Sequence, residues 1–193
     1  MGKFKVTKTH IKDLIVIEPE IIGDNRGSFM EIYNKKDLYK IGIYDEFVQE
    51  NQSFSVKGVL RGLHFQKNYP QSKLARVLSG RVFDVAVDLR KNSNTFGEWY
   101  GVELSDKNNK LFYIPQGFAH GLLVLSETAV FCYKCNQFYH PNDEDGIMFD
   151  DPEINIIWPG VKKENSNYFL EDGTKLIISE KDKKWNSFKD INI

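Results

Sequence analysis

Cysteine is scarce: only Cys132 and Cys135 occur in 193 residues. Their Cys-Tyr-Lys-Cys spacing fits the bare outline of a redox pair or half a zinc site. No second pair exists to complete a zinc site, and residues three apart in a strand point to opposite faces, so both read as core thiols. Thiols without a disulfide framework suit a reducing cytosol. Blocks of like charge are missing too, and 26 Lys plus Arg nearly balance 27 Asp plus Glu. That balance argues against a nucleic-acid groove or a membrane-surface patch. No apolar run approaches the roughly 18 residues that a membrane helix needs, and the stretch Met1 to Lys5 lacks the apolar region of a secretory leader. The expectation is a soluble, cytoplasmic protein. Internal repeats, linkers and low-complexity tracts are absent, and 193 residues suit one core better than two, so residues 1–193 are expected to form a single domain.

What is present is mostly period-two apolar pattern in short runs. Phe83, Val85, Val87 and Leu89, with Asp84 and Asp88 between them, predict a strand with one buried face. Similar runs predict strands at Leu14 to Ile22, Ser28 to Tyr33, Phe47 to Val56, Lys73 to Leu78, Glu98 to Leu104, Leu111 to Ile114 and Ala119 to Tyr133, punctuated by Gly, Asn, Asp and Pro. Helical pattern is confined to Lys35 to Lys40 and to a turn near the C-terminus, where Ser179-Glu180-Lys181-Asp182 resembles a capping box. Val161 to Gly173 is polar and predicts a surface excursion. Many short, closely spaced strands predict an all-β sandwich or barrel with a few short helices.

Two of the four histidines stand in unusual company. His64 lies in Gly58-Val59-Leu60-Arg61-Gly62-Leu63-His64-Phe65-Gln66, and His120 ends Pro115-Gln116-Gly117-Phe118-Ala119-His120. The two segments resemble the paired motifs of the cupins, a jelly-roll or double-stranded β-helix barrel whose inward His and Glu residues hold a metal. Here Gln66 replaces the second histidine of the first motif, and Lys73 stands nearest the expected Glu. A divalent ion needs three or four deprotonated ligands, and an ammonium in the cavity repels it. No metal and no cofactor are therefore expected. An imidazole beside a lysine suits proton chemistry, because an unperturbed histidine titrates near neutral pH. The ammonium of Lys73 would stabilise a developing oxyanion.

The likeness becomes specific at Gly23 to Glu31, Gln49-Glu50-Asn51, Val59 to Gln66, Val82 to Asp88, Ile114 to Gly121, Tyr133-Lys134 and Ser179 to Asp182. Seven segments in this order, spanning about Leu14 to Asp182, resemble the dTDP-4-dehydrorhamnose 3,5-epimerases. The resemblance implies a dTDP-sugar substrate whose C4 ketone acidifies the hydrogens at C3 and C5. It implies His64 as base, Lys73 as enolate stabiliser, Tyr133 as acid and Asp182 as the carboxylate orienting the base. Arg26, Glu31, Gln49, Asn51, Arg61, His120, Glu144 and Lys181 correspond to substrate-binding positions. Arg26, Arg61 and Lys181 supply the cations that a diphosphate requires, and no glycine-rich loop leads into a helix to do so instead. A homodimer is implied as well, in which an N-terminal strand joins the partner's sheet and Arg26 and Glu31 serve the neighbouring site.

The sequence departs from the family's pattern at Ser28 and Met30, where aromatic residues are common, and in a longer polar stretch from Val161 to Gly173. Three other readings compete: an epimerase inverting only C3 or only C5, a metal-dependent cupin oxygenase, and a non-catalytic nucleotide-sugar binding barrel. The oxygenase demands metal ligands at Gln66 and Lys73. The binder has no need of His64, Lys73 and Tyr133 together.

Overall fold

Short alternating segments bounded by Gly, Asn and Pro become sixteen strands in a computed structural model that describes residues 3–193. Met1 and Gly2, the start of the stretch considered above as a leader, lie outside the described residues. The strands are β1 (Phe4–Lys8), β2 (Ile15–Pro19), β3 (Ile21–Asp24), β4 (Gly27–Met30), β5 (Gln49–Val56), β6 (Val59–Gln66), β7 (Lys73–Ser79), β8 (Arg81–Asp88), β9 (Trp99–Ser105), β10 (Leu111–Ile114), β11 (Phe118–Val124), β12 (Thr128–Cys135), β13 (Glu144–Gly146), β14 (Val161–Glu164), β15 (Asn167–Leu170) and β16 (Ile177–Ile178). The α-helix α1 (Lys35–Lys40) matches the predicted span, and two single 3-10 turns, Asp182–Lys184 and Phe188–Asp190, lie near the C-terminus. Asn34 caps α1, its side chain accepting from the amides of Lys36 and Asp37.

Two sheets face each other as a jelly-roll barrel, the all-β architecture predicted. One runs β1-β2-β10-β7-β12-β5 and the other β13-β6-β11-β8-β9, with β16 added in parallel to β6. Their inner faces enclose a core that includes Val16, Ala75, Val77, Val82, Ala86, Leu104, Phe112, Leu122 and Phe131. The outer face of the first sheet packs Ile15, Ile17 and Leu111 against Leu38 of α1. The outer face of the second sheet carries Leu63, Val85, Val87 and Leu123, which Ile147, Phe149, Trp158 and Leu176 of the C-terminal third cover.

That second cover corrects the reading of Phe83 to Leu89. Both faces of β8 are buried, and Asp84 and Asp88 are fully inaccessible. The apolar side faces the C-terminal layer, and the acidic side faces the barrel interior. Asp88 is satisfied there by Arg90, Ser93 and Thr95. Ala119 to Tyr133, predicted as one run, is two strands in different sheets. Ser126 turns the chain between them, its hydroxyl donating to Thr128 O and accepting from Arg81 N. The polar stretch from Val161 forms the hairpin β14–β15, anchored by buried Leu170. Cys132 and Cys135 are both buried and unpaired, as predicted for core thiols.

Candidate active site

The site lies where the inner faces of both sheets turn polar. From the first sheet, alternation brings Lys73 to the interior beside Ala75 and Val77 on β7, and Tyr133 and Cys135 beside Phe131 on β12. Cys135 is directly opposite Lys73 in register, and Tyr133 is opposite Asn51 of β5. The Lys73 ammonium lies 5.9 Å from the centre of the Tyr133 ring. From the second sheet come Arg61 and His64 of β6, His120 of β11 and Asp84 of β8.

Strict period two sends Arg61 and His64 to opposite faces. A register shift restores them to one: His120 pairs with His64 and Leu122 with Arg61, so two steps on β11 match three on β6. Gly62 makes this irregularity possible. It has φ +116°, and an added Cβ would stand 2.6 Å from Gly121 Cα and 2.7 Å from His120 O.

His64 Nε2 is 2.7 Å from Asp182 Oδ1, whose side chain is almost wholly buried. Asp182 also accepts from Gly62 N at 3.3 Å and from Trp185 Nε1 at 3.2 Å. Burial alone raises the Asp182 pKa, but His64 and then the two N–H donors outweigh it and hold the group below the usual carboxylate range. An ionised carboxylate only accepts, so the proton sits on Nε2 and the Nδ1 lone pair is free. Nδ1 is 3.9 Å from Glu144 Oε1, and Trp185 meets the ring edge-on with centroids 5.9 Å apart. Asp182 is thus more than the helix-capping acid its sequence context allows. Ser179 Oγ does accept from Asp182 N, but the Asp182 carboxylate points to His64.

His120 Nε2 is 2.7 Å from Asp84 Oδ1, while Asp84 Oδ2 has no hydrogen-bond partner among the described residues. Burial lowers the His120 pKa; Asp84 opposes that shift, and Lys73 and His64 reinforce it. Burial likewise lowers the Lys73 pKa, against the attraction of Cys135, Asp84 and Glu144. Burial pushes the Tyr133 hydroxyl up to about 12, assisted by Cys135 and opposed by Asn51 and Arg61. Tyr133 is therefore firmly protonated at neutral pH, a stronger hold on its proton than an isolated phenol has.

The other candidates divide into two groups. Gln49 Nε2 donates to Asn51 Oδ1 at 3.0 Å, and Arg61 donates to Ser55 Oγ at 3.1 Å, so these three line the same wall. Lys181 pairs with Glu144, which also accepts from the Tyr139 hydroxyl at 2.8 Å. Arg26 and Glu31 are not brought to this cluster. Arg26 lies on the β3–β4 hairpin, 85% exposed and paired with Asp24, and Glu31 pairs with Lys3 at 3.1 Å.

Sequence reasoning missed Asp84, Trp185 and Tyr139. Asp84 had a signal, a carboxylate centred in an apolar strand, but alternation alone assigned it to solvent. The other two aromatic residues occupy irregular segments with no period to mark them. The donor set does not fit the ion of metal-binding cupins: the Gln66 amide is used by backbone groups, and among the described residues no three His, Cys, Asp or Glu side chains converge to hold an ion.

The family model for dTDP-4-dehydrorhamnose 3,5-epimerase matches residues 8–190. The epimerase of that name from Methanothermobacter thermautotrophicus is 51% identical over 98% of this chain and 97% of its own. A crystal structure of dTDP-4-dehydrorhamnose 3,5-epimerase from Elizabethkingia anophelis superposes with TM-score 0.88 at 49% identity, covering 99% of this chain and 100% of the other. The Legionella pneumophila enzyme, crystallised with dTDP-4-keto-L-rhamnose, superposes with TM-score 0.89 at 46% identity over 98% and 95% of the two chains. Sequence, cupin-like barrel and structural likeness agree along nearly the full length, and the chain belongs to the dTDP-4-dehydrorhamnose 3,5-epimerase family of isomerases.

Proposed function

We propose that this chain epimerises dTDP-4-dehydro-6-deoxy-D-glucose at C3 and C5 to dTDP-4-dehydro-L-rhamnose, with His64 as base, Lys73 as enolate stabiliser and Tyr133 as acid. The observation that carries the division of labour is an opposition across the barrel. His64, held by Asp182 of the C-terminal turn, projects from one sheet, and Lys73 with Tyr133 projects from the other. A ketosugar between them meets a base on one face and a proton donor on the opposite face, which inversion of a carbon requires.

His64 Nδ1 removes the proton beside the C4 ketone, and Asp182 stabilises the imidazolium through Nε2–H. Electron density moves to O4, where the Lys73 ammonium offsets it. Tyr133, protonated because burial holds its pKa near 12, returns a proton from the other side. Arg61, His120, Lys181, Gln49, Asn51 and Glu144 hold the nucleotide and its diphosphate in this reading. No metal and no redox cofactor enters.

A homodimer is the finer part of the proposal. It is supported by exposed Ile22 and Phe29 on the β3–β4 hairpin and by the distance of Arg26 and Glu31 from their own protomer's cluster. A single domain working in the cytoplasm, where buried free thiols persist, completes the reading.

The test is kinetic. His64→Ala and Lys73→Ala are each expected to lose about a hundredfold or more in turnover while keeping dTDP affinity, measured by calorimetry. Either variant retaining more than about a tenth of the rate would remove its assigned role.

A further inference from the structure

Gln66 occupies the place of a metal-binding histidine in the cupin motif, and its amide does something else. It is 6% exposed, and three backbone groups use both ends of it. Nε2 donates to Tyr69 O at 2.7 Å and to Phe138 O at 3.2 Å, and Oε1 accepts from His140 N at 2.7 Å. The residues gripped at 138 and 140 flank Tyr139. From the other side Asp143 accepts from the amides of Asn68 and Tyr69, each at 2.9 Å, and the rings of Tyr69 and His140 stack at 4.0 Å. The loop after β6 and the loop before β13 are therefore fastened to each other and to β6.

Tyr139 transmits this position to the site. Its amide donates to Gln49 Oε1 at 2.9 Å and its hydroxyl to Glu144, which pairs with Lys181 and stands 3.9 Å from His64 Nδ1. We propose that Gln66 is a positioning residue for substrate binding: it fixes the turn Phe138-Tyr139-His140, and through it the Gln49–Tyr139–Glu144–Lys181 wall. The base is held independently, by Asp182 from the C-terminal turn. Loss of the Gln66 clamp thus loosens the binding wall and spares the proton-transfer machinery. The inference rests on the binding roles proposed above for Gln49, Glu144 and Lys181.

Gln66→Leu leaves two carbonyls and one amide without their partner. It is expected to raise KM and the Kd for dTDP by at least about tenfold, with kcat within about threefold of wild type. Exchange of the His140 amide is expected to accelerate, because its acceptor is gone. Gln66→Glu supplies rescue. Its carboxylic acid form accepts and donates once, replacing one of the two amide donations, so its dTDP affinity should recover in part as pH falls from about 8 to about 5.5, whereas Gln66→Leu should not recover. Unchanged dTDP affinity and unchanged His140 exchange in Gln66→Leu would overturn the proposal, as would an equal fall in kcat with KM unaltered. If Gln66→Leu does not fold, the pH series of Gln66→Glu decides alone, and a flat series overturns the proposal. Calorimetry with dTDP and amide exchange need no turnover, so failure of the epimerase reading would be seen separately.

Discussion

Two histidines of similar sequence surroundings end in different electrostatic states. His64 is partly open to the cavity and bound to a carboxylate that is itself fully hydrogen-bonded. His120 is buried, and burial depresses its pKa although Asp84 stands beside it. The first suits proton uptake, and the second suits a neutral donor or acceptor to substrate. That His64 meets Asp182 and Lys73 lies near Tyr133 was expected only from the family likeness, since the members of each pair are far apart in sequence. Asp84 was not legible as a site residue, since alternation cannot say whether the second face of a strand meets water or a cavity. For Asp182 the folded pKa is depressed, so its contribution to stability is present above the unfolded value and is lost as pH falls through the folded one. Urea denaturation is expected to show Asp182→Asn less stable than wild type at neutral pH, with the gap closing below about pH 3.9. The same variant should lose turnover by tens of fold or more at neutral pH through weaker stabilisation of the imidazolium. A gap that persisted unchanged in acid would break the link between this carboxylate and the pair.

At the scale of elements, strand positions were legible and strand partners were not. Leu111 to Ile114 and Lys35 to Lys40 are as predicted, because a local period and a cap decide them. The division of Ala119 to Tyr133 between two sheets depends on a turn at Ser126 whose partners, Arg81 and Thr128, include one 45 residues away. The irregularity at Gly62 is likewise invisible in sequence, yet without it Arg61 and His64 cannot share the cavity. Gly62 and Gly121 pack backbone against backbone, so a methyl group at 62 meets main-chain atoms that cannot rotate aside. Gly62→Ala is accordingly expected to destabilise by roughly 1–3 kcal/mol in chemical denaturation. The folded fraction should lose activity, because the shift aims both side chains. Full activity at wild-type stability would show that this glycine does not set the register.

For the molecule as a whole, the barrel supplies two opposed polar faces, and the C-terminal third supplies both the outer cover of one sheet and the carboxylate that holds His64. An all-β sandwich or barrel was legible from strand density, and the jelly roll only through the cupin-like segments around His64 and His120; the long-range contact of Asp182 with His64, 118 residues away, was legible only through family likeness. Arg26 and Glu31 pair with Asp24 and Lys3 and not with the cluster, which yields a prediction for the assembly. Arg26→Ala and His64→Ala proteins, each weak alone, are expected to regain about a quarter of wild-type activity when unfolded together and refolded as mixed dimers. No gain, or sedimentation as a monomer at micromolar concentration, would assign Arg26 elsewhere. Prolonged chelation should leave the wild-type rate unchanged, since the lysine holds the place of a metal ligand. The most direct measurement is proton NMR of dTDP-4-keto-6-deoxyglucose with the chelated protein in deuterium oxide. Loss of both the C3 and C5 hydrogens, abolished in His64→Ala, is the predicted result; exchange at one carbon only, or exchange that survives in His64→Ala, would contradict the account.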